Sequence, residues 1–284
     1  MTVIQVQPRV LAAADELAVR SLVQRDRVLN CVVEARLRRA PDLNPQRLGG
    51  YLWGVGEAGD GLRAAAFAGG NLIPVGEDLG ALELIAGQLA RTGRGCSSIV
   101  GACDSVEAMW AVLSRRWGPA RAVRASQPLL YADTPSSGVE PDSRVRRVRL
   151  SELPQFLPAA VSMFTEELGM SPTGQDAGRG YRARVAELIS SGRAFACFDA
   201  RGQVEFKAEI GVLGSATAQV QGVWVRPDLR GRGVATAAMA AVLQLALEVA
   251  PSVSLYVNDY NIAGRRLYDR LGMRQIGTLS TVLF

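Results

Sequence analysis

Residues 223–236 read Val-Trp-Val-Arg-Pro-Asp-Leu-Arg-Gly-Arg-Gly-Val-Ala-Thr, and the character of the chain changes twice within this stretch. An apolar run over residues 220–225 stops before Pro227, whose nitrogen cannot donate a hydrogen bond to a sheet. A basic, glycine-rich turn follows, and after it comes an apolar-periodic segment without proline. The order predicts a strand, a loop and a helix.

The turn has the composition of an anion site. Gly231 and Gly233 allow the backbone to approach a bulky group closely, and the first amides of a helix have no partner within the helix. These amides attract anions, with the positive end of the helix dipole behind them. Arg226, Arg230 and Arg232 add positive charge on the same side, so we expect a phosphate or a diphosphate as the ligand.

Two familiar phosphate-binding motifs do not describe this turn. No Gly-Lys-Ser/Thr follows the glycines, which argues against a nucleotide P-loop. The G-x-G-x-x-G spacing and the acidic residue about 20 positions later are both missing, which argues against a dinucleotide fingerprint.

The stretch resembles the acyl-CoA loop of the GCN5-related N-acetyltransferases (GNAT), whose pattern is Arg/Gln-x-x-Gly-x-Gly/Ala. The resemblance extends over residues 145–284, about half of the chain. The positions that carry it are Arg230, Gly233, Ala235, the strand-like run Leu255-Tyr256-Val257-Asn258, Asn261, Ala263, Leu267-Tyr268 and Leu271-Gly272-Met273. It implies an α/β fold with a mixed sheet and splayed central strands, acetyl-CoA as co-substrate, and no metal.

The same resemblance implies where the coenzyme binds. Its diphosphate would meet the amides of residues 230–235, and its amide-bearing arm would pair with the backbone of residues 223–225 like an additional strand. Asn258 would contact the arm or a bound water, although Asn258-Asp259 is equally typical of a simple turn. The full set of expected coenzyme contacts is Val223, Trp224, Val225, Arg230, Gly231, Arg232, Gly233, Val234, Ala235, Thr236, Asn258, Asn261 and Ala263.

Tyr268 stands where relatives of this family place a tyrosine that protonates the leaving thiolate. A phenol is a reasonable donor to a thiolate as it forms, since the ordinary pKa values are ~10 and ~8.5. Tyrosine at helical spacing is also typical of a core residue. We expect the catalytic role.

The general base is less clearly marked, because the strand before the loop carries Gln219 and Gln221 where some relatives carry glutamate. Glu205, Lys207 and Glu209 alternate along a predicted strand, so they are expected on one face. Lys207 is the only lysine among the 32 basic residues, which singles it out. A buried Glu-Lys-Glu cluster would hold the amine or relay its proton, whereas an exposed one would be a solvated face. Lys207 and Glu209 are the catalytic candidates.

Composition limits the other function classes. The chain of 284 residues is 48% hydrophobic, which is typical of a globular protein with room for two domains. Its four cysteines form no C-x-x-C pair and it has no histidine, so neither structural zinc, nor a disulfide scaffold, nor a Ser-His or Cys-His nucleophile is expected. No signal-like or membrane-spanning run is present, so we expect a cytoplasmic protein that does not bind membranes.

The sequence predicts two domains. Residues 132–142 contain two prolines and small polar residues without periodicity and are expected to be a linker between domains at 1–131 and 143–284. Both halves share an order of hairpin, further strand, helix, strand and helix, which indicates a weak internal repeat and a degenerate, smaller GNAT-like α/β domain in the first half. An unrelated α/β domain is the alternative. Residues 76–80 contain Glu77 and Asp78 where the second half has its basic turn, so the first half should not bind CoA.

The leading hypothesis is an acetyl-CoA-dependent N-acetyltransferase that acts on a primary amine of a small molecule, peptide or protein. The alternative is a non-catalytic acyl-CoA-binding sensor, which Gln219 and Gln221 favour. The net charge of +5 could suit nucleic acid, but the arginines are dispersed, so nucleic acid is not expected as a partner.

Overall fold

The computed structural model describes residues 7–57, 61–173 and 178–284. Residues 58–60, in the predicted hairpin turn, lie outside this description. Contacts divide the chain into two compact units. Unit 1 contains the chain up to Leu129 together with Tyr256–Tyr260 and Gln275–Phe284, and unit 2 contains Leu130–Leu255 and Asn261–Arg274. The predicted domain limits of 1–131, 132–142 and 143–284 remain a prediction, since the two compact units alternate along the chain near its end.

Unit 1 is an α/β unit built on an antiparallel-rich sheet. Its elements are β1 (Arg9–Val10), α1 (Glu16–Gln24), α2 (Cys31–Arg39), α3 (Pro45–Leu48), β2 (Gly50–Glu57), β3 (Gly61–Gly69), β4 (Asn71–Val75), α4 (Leu79–Thr92), β5 (Ser98–Ala102), α5 (Cys103–Trp117), β6 (Ala122–Ala132) and the last strand of the chain, β12 (Arg274–Leu283). The strand order is β1-β2-β3-β4-β5-β12-β6. α1 ends at Gln24 and α2 begins at Cys31.

Two apolar clusters cover the two faces of this sheet. Side chains of α1 and α2 pack with Ile73, whereas side chains of α4 and α5 pack with the adjacent Leu72. Neighbouring residues of a strand point to opposite faces, so a single short strand contributes to both cores. This explains why the run over residues 72–75 is apolar without alternation.

Unit 2 has a similar order of helices and strands to unit 1. Its elements are β7 (Arg146–Arg147), α6 (Leu153–Leu168), α7 (Arg179–Ser190), β8 (Ala194–Phe198), β9 (Val204–Leu213), β10 (Ala218–Val225), α8 (Val234–Leu247), β11 (Val253–Tyr256) and α9 (Ile262–Arg270). Its strands follow the order β11-β10-β9-β8-β7. Strand, two helices, three antiparallel strands, helix, strand, helix and strand occur in this order in both halves, apart from the additional α3.

The pairing of strands makes the repeat specific. β10 and β11 are parallel, with Ala218 paired with Val253 and Gln219 paired with Ser254. β4 and β5 are likewise parallel, with Asn71 paired with Ser98 and Leu72 paired with Ile99. The pairing of β10 with β11 stops at Gln219 although β10 continues to Val225, which confirms the predicted splayed strands. The same parallel pairing in both halves confirms the predicted internal repeat. Residues 133–145 contain no strand or helix, and the linker at 132–142 remains a prediction.

No helix in the described ranges combines the length and the apolar character that crossing a membrane requires.

The start of α4 in unit 1 is occupied by the protein itself. The Asp78 carboxylate accepts a hydrogen bond from the amide of Ala81 at 2.9 Å and pairs with Arg63 at 2.7 Å. The Arg63 guanidinium, followed by the backbone amide, holds the pKa of Asp78 below its usual range. An anionic ligand would have to displace this carboxylate. The geometry agrees with the prediction that the first half does not bind CoA.

Removing this cap should weaken the molecule measurably. Asp78→Ala is expected to lower the free energy of unfolding by about 1 kcal/mol, because an amide of the first turn loses its acceptor. Urea unfolding followed by circular dichroism measures the change. Asp78→Asn is the matched control, since asparagine also caps helices and the half-exposed ion pair with Arg63 contributes little. Equal losses in both variants would contradict the capping role.

Candidate active site

A bulge in β10 is the central feature of unit 2. Gln221 lies opposite Glu209 and Trp224 lies opposite Lys207, so Gly222 and Val223 together face the single residue between them on β9. Gly222 has φ +61°, a left-handed conformation that side chains disfavour. A glycine within a strand is a sequence signal for a bulge. The bulge turns the backbone of β10 just before the basic loop.

In the described parts of the chain, the other edge of β10 has no strand partner after Gln219. Its register with β11 covers Ala218 and Gln219, while β10 continues to Val225. Val223 and Val225 are half-buried rather than fully packed, and Trp224 is 9% exposed. A strand with one free edge can accept another extended chain by backbone hydrogen bonds.

The loop after β10 leads directly into α8. A short 3₁₀ turn, Pro227–Leu229, precedes Gly231 at φ +74° and Gly233 at φ +81°. Gly233 is the N-cap of α8 and has no side chain with which to accept a hydrogen bond from the first turn. A Cβ at either glycine would meet nothing within 4 Å. The glycines are therefore required here by backbone conformation and not by lack of room for a side chain.

The three arginines of the loop have different partners. Arg226 bridges Asp199 and Asp228 at 2.8 Å each, so its charge is already compensated. Arg230 donates to the carbonyl of Val225 at 2.9 Å and pairs with Glu166 at 2.7 Å. Arg232 is exposed and forms no ion pair within the described ranges. From the sequence, all three arginines were expected to add charge beside a ligand. In the structure, Arg226 and Arg230 pair with carboxylates of the protein.

Glu166, at the end of α6, ties together the elements around the open strand. One carboxylate oxygen accepts from the Trp224 indole at 3.0 Å, and the other accepts from Arg230. These two contacts fix the loop and the strand against α6. Residues 174–177 lie outside the described ranges.

The predicted cluster on β9 is only partly formed. Lys207 and Glu209 are buried and form an ion pair at 2.7 Å. Glu205 does not join them: β9 is irregular at this point, and its carboxylate accepts from Arg144 at 2.8 Å and from the Cys197 thiol. The two-residue period of the sequence could not show the irregularity. The cluster is a Lys-Glu pair, and it is buried.

Tyr268 projects from α9 and is 7% exposed. Burial, with a smaller contribution from the Glu167 carboxylate, raises the pKa of its phenol well above the usual value. The hydroxyl therefore stays protonated at neutral pH and can donate a hydrogen bond. Glu167 lies at the end of α6, so its charge acts on the phenol of Tyr268 from that helix end. At the same helix end, Glu166 accepts a hydrogen bond from the Trp224 indole.

Three remaining candidates are distributed between the units. Asn258 lies in unit 1, where its side-chain oxygen accepts from Gln127 at 2.9 Å, and Gln127 in turn accepts from Thr281 at 2.6 Å. Asn261 lies in unit 2 and caps α9 by accepting from the amide of Gly264. Ala263 is exposed in the first turn of α9. Both asparagine side chains have structural partners.

Two contacts of this site were not predicted from the sequence. The indole of Trp224 binds Glu166, and the carbonyl of Gly222 accepts from Lys207 at 3.0 Å. Gly222 carried a usable signal, a glycine inside an apolar strand. The partners themselves are separated by 58 and 15 positions in the chain, a distance at which local patterns carry no information.

Comparison with known proteins agrees with this architecture. Residues 187–273 match the family model described as Acetyltransferase (GNAT) family, and residues 50–156 match Domain of unknown function (DUF4081). No curated protein matches the sequence.

Solved structures share the fold along almost the whole chain. A GNAT-family acetyltransferase from Colwellia psychrerythraea has a TM-score of 0.57 at 10% identity, covering 98% of this chain and 99% of that one. A GCN5-related N-acetyltransferase from Sphaerobacter thermophilus has a TM-score of 0.58 at 16% identity, covering 97% and 95%. A tandem GNAT protein from the clavulanic acid biosynthesis pathway has a TM-score of 0.56 at 16% identity, covering 98% of both chains. At these identities the likeness shows the fold.

Proposed function

We propose, starting from the GNAT-family domain at residues 187–273, that the chain is an acetyl-CoA-dependent N-acetyltransferase acting on a primary amine of a small molecule, peptide or protein. The observation that carries the proposal is a pair of neighbouring features: β10 continues past its last pairing with β11 without a strand partner on that edge among the described residues, and the helix that follows it begins at Gly233, which provides no side-chain cap. An extended chain with a diphosphate at one end matches both.

The diphosphate would be bound mainly by main-chain groups. Gly233 leaves the start of α8 without a side-chain cap, and the helix dipole favours an anion there. Arg232 is the guanidinium of the loop without a carboxylate partner among the described residues, so it is the side chain best placed to add charge. Arg230 would act indirectly by holding the loop to Val225 and Glu166.

The arm of the coenzyme would pair along the open edge of β10. Its amides can exchange hydrogen bonds with the backbone of Val223 and Val225, in the manner of an added strand. A backbone amide near the bulge would then donate to the thioester oxygen and stabilise the negative charge that develops on it.

Transfer requires a neutral amine. Its lone pair attacks the thioester carbon, the tetrahedral intermediate expels the thiolate, the nitrogen loses a proton and the sulfur gains one. Gln219 and Gln221 cannot take a proton, and Glu209 is paired with Lys207. Water is therefore the proposed proton acceptor, which favours amines that are partly neutral at the working pH.

Tyr268 is the proposed donor to sulfur. Its protonated phenol can donate a hydrogen bond to the thiolate as the carbon–sulfur bond breaks. The raised pKa of the phenol lies further above the pKa of ~8.5 of an ordinary thiol, which makes complete proton transfer to the thiolate less favourable. Stabilisation of the thiolate by a hydrogen bond therefore precedes any complete proton transfer.

The alternative function is an acyl-CoA sensor without turnover, favoured by the absence of a free carboxylate at Gln219 and Gln221. Release of free thiol from acetyl-CoA in the presence of a panel of primary amines separates the two. Binding with thiol release supports the transferase, whereas binding without thiol release for any amine supports the sensor.

Coenzyme binding should depend on the start of α8. Arg230→Glu combined with Gly233→Asp is expected to abolish measurable acetyl-CoA binding in calorimetry, because the aspartate places a carboxylate at the diphosphate site and the glutamate breaks the ion pair with Glu166 that holds the loop. Gly118→Asp is the matched control: Gly118 also has a positive φ, +78°, and open space around it, but it lies in unit 1. Retained affinity in the double variant would refute the loop assignment.

Catalysis should depend on the phenol of Tyr268. Tyr268→Phe removes one hydroxyl from a buried ring and is expected to slow acetyl transfer about 10²-fold with nearly unchanged coenzyme affinity. Steady-state rates and calorimetry measure the two effects. Tyr181→Phe is the control, since the hydroxyl of this half-buried tyrosine donates to the carbonyl of Ala160. An unaltered rate in Tyr268→Phe would remove the phenol from the mechanism.

A further inference from the structure

The Lys207–Glu209 pair is buried to an unusual degree. Lys207 is fully buried and Glu209 is 4% exposed, with 2.7 Å between the ammonium nitrogen and Oε1. Moving two charges out of water is unfavourable, and their attraction compensates for this only when the geometry is good and further hydrogen bonds are made. Such a pair is weak evidence for stability in itself. Its contacts indicate what else it does.

The ammonium group of Lys207 has a partner in each available direction. It has three N–H donors. It contacts Glu209, it donates to the carbonyl of Gly222 at 3.0 Å, and it lies 5.5 Å from the centre of the Phe156 ring, within the range of a cation–π contact. A protonated amine held in this way has no lone pair with which to accept a proton or attack a substrate. Lys207 therefore does not act as a base or a nucleophile.

The carbonyl that Lys207 holds belongs to the bulge. Gly222 and Val223 are linked by a trans peptide group, in which the C=O of Gly222 and the N–H of Val223 point in opposite directions. Because the carbonyl of Gly222 points to the ammonium group, the amide of Val223 points away from it. A Cβ on Gly222 would lie 3.0 Å from Nζ and 3.1 Å from Cε of Met163, so the bulge sits directly against the pair.

We propose that Lys207 is a positioning residue: by holding the carbonyl of Gly222, it directs the amide of Val223 toward the thioester oxygen of bound acetyl-CoA. Glu209 orients the ammonium group through the ion pair at 2.7 Å. This inference rests on the proposed function, since it assigns a task within the same site. It replaces the direct catalytic role that the sequence predicted for Lys207 and Glu209.

The test uses a double substitution in the full chain. Lys207→Met with Glu209→Leu removes both charges at similar volume, and such replacements often leave stability unchanged. Lys207→Met alone leaves Glu209 buried without its partner and is expected to lower the melting temperature. Circular dichroism selects the folded variant for further measurement.

The direct readout is the infrared carbonyl stretch of bound acetyl-CoA that carries ¹³C at the thioester carbon. In the unsubstituted protein, a hydrogen bond from Val223 should shift the band to lower wavenumber than in free acetyl-CoA. In the double variant, the band should return toward the free value, with coenzyme affinity within about threefold because the diphosphate site is untouched. Loss of the oriented donor should also reduce kcat about 10²-fold with little change in KM for acetyl-CoA.

Three outcomes are distinct. The same carbonyl frequency in both proteins would overturn the positioning role while leaving coenzyme binding, and so the proposed function, intact. No binding of acetyl-CoA to the unsubstituted protein would refute the proposed function and this inference with it. If Glu209→Gln alone abolished transfer and removed the acidic limb of the pH profile without moving the band, Glu209 would be a general base, which also overturns the proposal.

Discussion

The separation of β10 from β11 is the constraint on which the site depends. Ala218 pairs with Val253 and Gln219 pairs with Ser254, and β10 then continues to Val225 with no further strand partner on that edge among the described residues. Unpaired backbone groups in a protein interior are unfavourable, so a strand edge of this kind requires a partner, which can be water or a ligand. The bulge at Gly222 falls just within this unpaired part. Recognition at such an edge is provided by the backbone, and the side chains of Val223 and Val225 remain free to pack.

The two halves share one architecture but differ at the start of the helix that follows the parallel strands. β4 and β5 separate in the same way as β10 and β11. The difference lies at the start of the following helix: α8 begins at Gly233, whereas α4 begins at Asp78, whose carboxylate already occupies the position that an anion would take. A capping carboxylate stabilises its helix and excludes an anion by the same interaction. The repeat in the sequence was weak because the two halves share strand pairing, which many apolar side chains satisfy, rather than particular residues.

The sequence predicted regular elements well where periodicity and boundary residues agreed. The strand, loop and helix predicted from residues 223–236 are present as the end of β10, a turn with a short 3₁₀ segment, and the start of α8. β6 escaped prediction because it contains Pro128 and its first half is largely exposed, so neither composition nor alternation indicated a strand. In the site, the glycine conformations followed from local chemistry. The partners of Arg226 and Glu166 did not, since they come from residues 27 and 58 positions away and depend on tertiary packing.

Most of the arginine side chains of the basic loop already form ion pairs with carboxylates of unit 2. Arg226 is bound by two aspartates and Arg230 by Glu166, so two of the three guanidinium groups stabilise the loop before any ligand arrives. Ordering the loop in advance reduces the conformational entropy that a ligand would otherwise lose on binding. Glu166 extends this order to β10 through the indole of Trp224, and Lys207 extends it to the bulge through the carbonyl of Gly222. Charged side chains thus fix the backbone from both ends of the open edge, and the atoms left to meet a ligand are mainly amides.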